Sequence, residues 1–118
     1  MEIWQKNNGS YKEVELQKNE QVHELPPDEL LYDLADLFRL FADTTRIKIL
    51  YVLMGGEKSV AELADAVNVS QSAVSHQLRN LRQAHLVKFN REGKQTIYAL
   101  SDAHVYTMLE QGMTHICE

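Results

Sequence analysis

The stretch Val69-Ser70-Gln71-Ser72-Ala73-Val74-Ser75-His76-Gln77-Leu78-Arg79-Asn80-Leu81-Arg82 constrains the fold more than any other part of the chain. Ser70 is placed to cap a helix, its hydroxyl accepting a first-turn N–H that has no helical partner. Val74, Leu78 and Leu81 follow at i, i+4 and i+7 as one apolar stripe. Gln71, Ser72, Ser75, His76 and Arg79 fill the rest of the helix start with short or forked hydrogen-bonding groups, and no acid stands among them. Solvated helix faces mix Glu with Lys, whereas an acid-free face of this kind suits phosphates and base edges. Just upstream, Ser59 and Glu62 have capping-box spacing, followed by an apolar stripe at Val60, Leu63, Ala64 and Val67. Only Asn68 and Val69 separate the two segments, which dictates a tight turn. Two short helices joined in this way predict a helix-turn-helix whose second helix enters a major groove; a helical hairpin with a purely structural role is the alternative.

With 118 residues the chain is long enough for one domain with a modest core. No run approaches the roughly 18 apolar residues of a membrane span, and the acidic N-terminus lacks the apolar segment of a signal peptide, so no membrane partner is expected. A single cysteine, Cys117, allows no internal disulfide and fits a reducing cytoplasm. The net charge of -5 argues at first against a nucleic-acid partner. Its distribution reverses that reading. Residues 1–36 set Lys6, Lys12 and Lys18 against nine acids, whereas residues 68–95 set Arg79, Arg82, Lys88, Arg91 and Lys94 against Glu92 alone. The positive segment coincides with the helix-turn-helix.

Residues 1–27 are polar, acidic and without period, and end in Pro26-Pro27. They read as a flexible N-terminal arm, with Ile3, Trp4, Tyr11, Val14 and Leu16 available to dock on a partner subunit. Residues 28–118 read as the folded domain. Pro26-Pro27-Asp28 starts a helix whose Leu30, Leu31, Leu34, Leu37, Phe38 and Phe41 form a wide apolar face. A helix so apolar in so small a protein divides its burial between the core and a subunit interface. Asp43 or Thr44 caps a further helix, with Ile47, Ile49, Leu50, Val52 and Leu53 packed inward and Gly55-Gly56 ending it. Leu86–Arg91 and Gln95–Leu100 are strand-like runs around Glu92-Gly93-Lys94, a β-hairpin pattern. Arg91 and Lys94 at its tip are placed to reach flanking backbone or minor groove; ordinary solubility at a turn is the alternative. The fold class is therefore mainly α with a β-hairpin (α+β), a winged helix-turn-helix.

The last helix opens with a cap at Ser101-Asp102 and carries Val105, Met108, Leu109, Met113 and Ile116 as apolar residues. Asp102 and His104 stand near its start, His115 and Glu118 near its finish. His104 and His115 are 11 residues apart, close to three turns, so they share a face but stand about 16 Å apart along the axis. One helix cannot place all four groups on one ion. Two antiparallel copies can, giving two symmetric sites of two nitrogens and two oxygens each. His115 and Glu118 converge as an i, i+3 pair, and Asp102 and His104 converge if Asp102 lies at the non-helical cap. Solvated polar residues on a surface helix are the alternative.

From about Leu34 to Glu118 the chain resembles the ArsR/SmtB family of metal-responsive winged-helix repressors. The resemblance is carried by Leu37-Phe38-Arg39-Leu40-Phe41-Ala42-Asp43-Thr44-Thr45-Arg46-Ile47-Lys48-Ile49-Leu50, by Ser70-Gln71-Ser72-Ala73-Val74-Ser75-His76-Gln77-Leu78, and by Ile97-Tyr98-Ala99-Leu100. The last helix is similar to the zinc- and cobalt-responsive branch, and Asp102, His104, His115 and Glu118 occupy that branch's metal motif without a gap. The resemblance implies a homodimer with interface helices at both ends of the domain. Two helix-turn-helix units would read a palindromic operator, and zinc, or cobalt or nickel, between the last helices would release it. It further implies that His115 transmits the metal signal by bonding a backbone carbonyl near His85. The thiolate site of another branch is not expected, because Glu62-Leu63-Ala64-Asp65-Ala66 lacks cysteine. Cys117 lies about 200° round the helix from His115 and is a bystander, and His23 in the arm is a remote further ligand. The residues speak against an enzyme and against a small organic substrate. No nucleophile has a base and orienter, there is no phosphate-binding loop, and a metal held entirely by protein leaves no open position.

Overall fold

The computed structural model describes residues 2–7 and 10–15 as backbone and residues 25–118 with their side chains. The chain divides into two units, Met1–Arg39 and Leu40–Glu118. In the first, β1 (Glu2–Asn7) and β2 (Ser10–Glu15) pair antiparallel, with Glu2 opposite Glu15 and Asn7 opposite Ser10. Regular strands therefore occupy much of the segment expected to be an arm without periodic structure. Asn8-Gly9 between them in the sequence is the dipeptide that favours a two-residue hairpin, a signal the sequence reading missed. Helix α1 (Asp28–Phe41) follows Pro27, whose carbonyl accepts from Leu30 and Leu31 N–H, and Asp28 and Glu29 complement the dipole of its first turn.

In the second unit, Asp43 caps α2 (Thr44–Leu53), its carboxylate accepting from Arg46 N–H. The helix stops before Gly55-Gly56. Met54 is a helical C-cap, and Gly56, at φ +128, takes the conformation that turns the chain away. β3 (Lys58–Ser59) leads directly into α3 (Val60–Val67). Asn68, at φ +60, closes α3, and the left-handed residue lets the chain reverse before Ser70. α4 (Gln71–Gln83) is the predicted recognition helix. β4 (Val87–Glu92) and β5 (Gln95–Leu100) form the wing, and α5 (Ala103–Cys117) ends the unit. The sheet order is β3-β5-β4, with Ser59 opposite Ile97 and Val87 opposite Leu100. β3 is not visible in the sequence pattern, being two residues long, yet it ties the start of α3 to the wing.

The core fixes which way α4 faces. Val74, Leu78 and Leu81 are fully buried together with Ile49 and Leu50 of α2 and Leu63 of α3. Removing a Leu or Val side chain from water is worth about 1.5–3 kcal/mol each. Rotation of α4 about its axis would forfeit three such terms, so its opposite face is held outward.

Candidate nucleic-acid interface and metal-ligating helix

The outward face of α4 begins at its cap. Ser70 Oγ accepts from Ala73 N–H at 3.1 Å and lies 3.2 Å from Ser72 Oγ. Gln71, Ser72, His76 and Arg79 are exposed and Ser75 is half-buried. Arg91 and Lys94 are exposed at the wing tip, and a concave groove of about 410 Å³ runs between wing and helix start, lined by Ser59, Gln71, Ser75, Lys94 and Thr96. The loop is two residues, Gly93-Lys94, shorter than the three-residue tip expected, because Glu92 pairs with Gln95. Gly93 at φ +63 occupies the first turn position, as a type II′ turn requires.

Two contacts brace this surface, and sequence reasoning missed both. Arg46 Nε donates to Gln77 Oε1 at 2.7 Å and stands 3.5 Å from the Asp43 carboxylate, so the start of α2 is tied to the middle of α4. Arg82 lies 4.0 Å over the ring of Phe89, which in turn meets Tyr98 at 5.8 Å, fastening the last turn of α4 to the base of the wing. Arg46 and Arg82 read in sequence only as charge. Nothing local marks their partners across 31 and 7 residues of chain.

At α5, Asp102 is the N-cap in extended conformation, and its Oδ1 accepts from His104 N–H at 2.8 Å and Val105 N–H at 3.4 Å. His104 Nδ1 lies 3.3 Å from the same oxygen, so the cap brings the two side chains together, and both are exposed. His115, Cys117 and Glu118 are exposed at the far end of the helix. Among the described residues no three His, Cys, Asp or Glu side chains gather where one chain alone would hold a metal. His23 lies outside the described residues. His85 closes α4 in the left-handed region, φ +61, and its carbonyl accepts from Ser101 Oγ at 2.6 Å. Within this one chain no hydrogen bond joins His115 to His85 among the described residues, and Ser101 takes one of the two acceptor positions of the His85 carbonyl.

The model of the bacterial regulatory protein, arsR family, matches residues 43–88, from the cap of α2 to the start of β4. The chain is 39% identical over 103 residues to the transcriptional repressor SmtB homolog of Synechocystis, covering 84% of this chain and 78% of that one. The chain belongs to the arsR family. It is 38% identical over 84 residues to the cadmium resistance transcriptional regulatory protein CadC homolog of Staphylococcus aureus, covering 70% of this chain and 69% of the relative. The homodimeric winged helix-turn-helix DNA-binding domain of a possible ArsR-family regulator from Mycobacterium bovis superposes with a TM-score of 0.73 at 26% identity, covering 77% of this chain and 84% of that one. As an arsR-family protein this chain is a DNA-binding transcription regulator with a winged helix-turn-helix, and not an enzyme. The family match stops short of α5. None of the described helices is long and apolar enough to cross a membrane.

Proposed function

We propose that the chain is a zinc-responsive repressor whose metal-free homodimer holds a palindromic operator and lets it go when zinc joins the two α5 helices. The observation that carries this reading is the N-cap of α5. Asp102 and His104 converge there on one exposed spot, while His115 and Glu118 stand at the opposite end of the same helix. The donor set fits the ion: two imidazoles with two carboxylates suit a borderline cation, and cobalt or nickel fits the same ligands. With one cysteine in the chain, the thiolate set that a soft cation prefers is absent. A second copy supplies the missing half of each site, in line with the homodimeric Mycobacterium bovis neighbour. Repression agrees with the Synechocystis relative, a transcriptional repressor, and metal response with the Staphylococcus aureus relative, a cadmium resistance regulatory protein.

On the DNA side, Ser70, Gln71, Ser72, Ser75, His76 and Arg79 face the major groove, while Arg91 and Lys94 contact flanking backbone. A DNA partner and a lone thiol both agree with a cytoplasmic protein. Zinc supplies a charge that holds two helices in one arrangement. By linkage, whatever this does to operator affinity the operator does equally to zinc affinity.

Fluorescence anisotropy of an operator fragment taken upstream of the protein's own gene tests the proposal, first with chelator and then with zinc. Tight binding released by about one zinc per protomer is expected. Tight binding indifferent to zinc leaves a regulator that answers to another metal or to a non-metal signal. His115→Gln is expected to keep operator binding and lose zinc-driven release, and release retained in that variant would remove His115 from the site.

A further inference from the structure

α4 does not end at a glycine. Leu86 N–H donates to Leu81 C=O at 2.9 Å and His85 N–H to Arg82 C=O at 3.0 Å, the paired bonds of a Schellman stop with His85 in its left-handed position. A side-chain-bearing residue holds that conformation only where its surroundings over-determine it. Two bonds come from the stop itself and two more from a single residue outside it. Ser101 donates its hydroxyl to the His85 carbonyl at 2.6 Å and its backbone N–H to the Leu86 carbonyl at 3.0 Å, so both carbonyls of the stop are held by the residue immediately before Asp102. Asp102 is in turn fixed by the two N–H groups it caps and by its contact with His104.

We infer that Ser101 is a positioning residue that clamps the end of the recognition helix to the start of α5, so that a change at Asp102 and His104 re-aims α4. The inference rests on the zinc reading above. One covalent link separates the clamp from Asp102, and its two hydrogen bonds reach His85 and Leu86, the residues that follow the C-cap of α4. The hydroxyl adds nothing to the DNA surface or to the metal ligands, so its loss should leave both affinities alone and affect only the coupling between them.

The test uses full-length protein carrying Ser101→Ala or Ser101→Thr, with zinc and the operator fragment as probes. Ser101→Ala is expected to bind operator under chelator, and zinc without DNA, within about 3-fold of the unsubstituted protein. The fold-loss of operator affinity on zinc addition is expected to shrink by about 10-fold or more, and Ser101→Thr, which keeps the hydroxyl, is expected to restore it. Undiminished zinc release in Ser101→Ala overturns the clamp alone. Absence of zinc release in the unsubstituted protein overturns the zinc reading and the clamp with it. Amide exchange supplies a readout that does not depend on Ser101→Ala folding. In the unsubstituted, DNA-free protein, Ser101 N–H exchange is expected to change by about 10-fold on zinc addition, and an unchanged rate overturns the clamp.

Discussion

Gly93 and Glu62 each carry a specific local burden. At Gly93 an added Cβ meets nothing within 4 Å, so Gly93→Ala probes the backbone alone: φ +63 is open to glycine and disfavoured for alanine. A loss of about 1–2 kcal/mol is expected from urea unfolding, with no loss of packing. Glu62 completes the capping box of α3. The Ser59 N–H that it accepts at 2.9 Å, then the Ser59 side chain, hold its carboxyl below the ordinary carboxylate range, with Lys58 assisting and slight desolvation opposing. The sign follows from the depressed value. The stabilisation is fully present above the unfolded carboxylate pKa and is lost as pH falls through the lower folded one. Glu62→Gln keeps an acceptor and removes the proton linkage, so its urea midpoint is expected to fall less steeply than that of the unsubstituted protein below about pH 4. A parallel fall in both proteins would deny Glu62 that role. The capping box was legible in sequence because Ser59 and Glu62 stand in one short pattern. Asn68 and His85, both left-handed without being glycine, were not: the end of α3 itself holds Asn68, and Ser101 holds His85 from 16 residues away.

Among the elements, α4 and the wing carry the residues proposed to hold DNA. Leu78 is fully buried, and Leu78→Ala should cost about 2–5 kcal/mol of folding stability, read by urea unfolding. Arg91→Ala lies on an exposed strand end and should leave stability unchanged. It should weaken binding to all DNA sequences alike and lower the slope of log affinity against log salt by about 1. A change of sequence preference instead would make Arg91 a base reader. Helices α1, α3 and α4 were legible because each carries an apolar stripe that recurs with the helical period, and α2 because a cap at Asp43 and the Gly55-Gly56 stop bracket an apolar run. β3 was hidden by its length, and the Arg46–Gln77 and Arg82–Phe89 braces by the distance in sequence between their partners. At the candidate metal ligands, the cap geometry that joins Asp102 to His104 could be read from the residues, whereas Ser101's hold on His85 needed the three-dimensional turn.

Among the described residues of the whole molecule, apolar side chains of the first and last helices stay exposed. No residue of α1 is buried, and Phe38 is 55% exposed; on α5, Met113 is 47% and Ile116 79% exposed. On the reading proposed above, the apolar faces of α1 and α5 would be where a second copy packs, and joining Asp102 and His104 to His115 and Glu118 would call for the same pairing. Ile116→Glu puts a charge on that face without touching the core or the DNA surface. Sedimentation velocity at micromolar concentration is expected to show a shift from dimer to monomer, with the helical signal retained. Operator affinity should fall with it, because a palindrome whose half-sites lie one helical turn apart is held tightly only by two linked recognition helices. Zinc binding should weaken in the same variant, since each site would have lost its second pair of ligands. A dimer that survives Ile116→Glu with zinc affinity intact would mean that the α5 helices do not pair through this face, and the four ligands would then have to meet by another route.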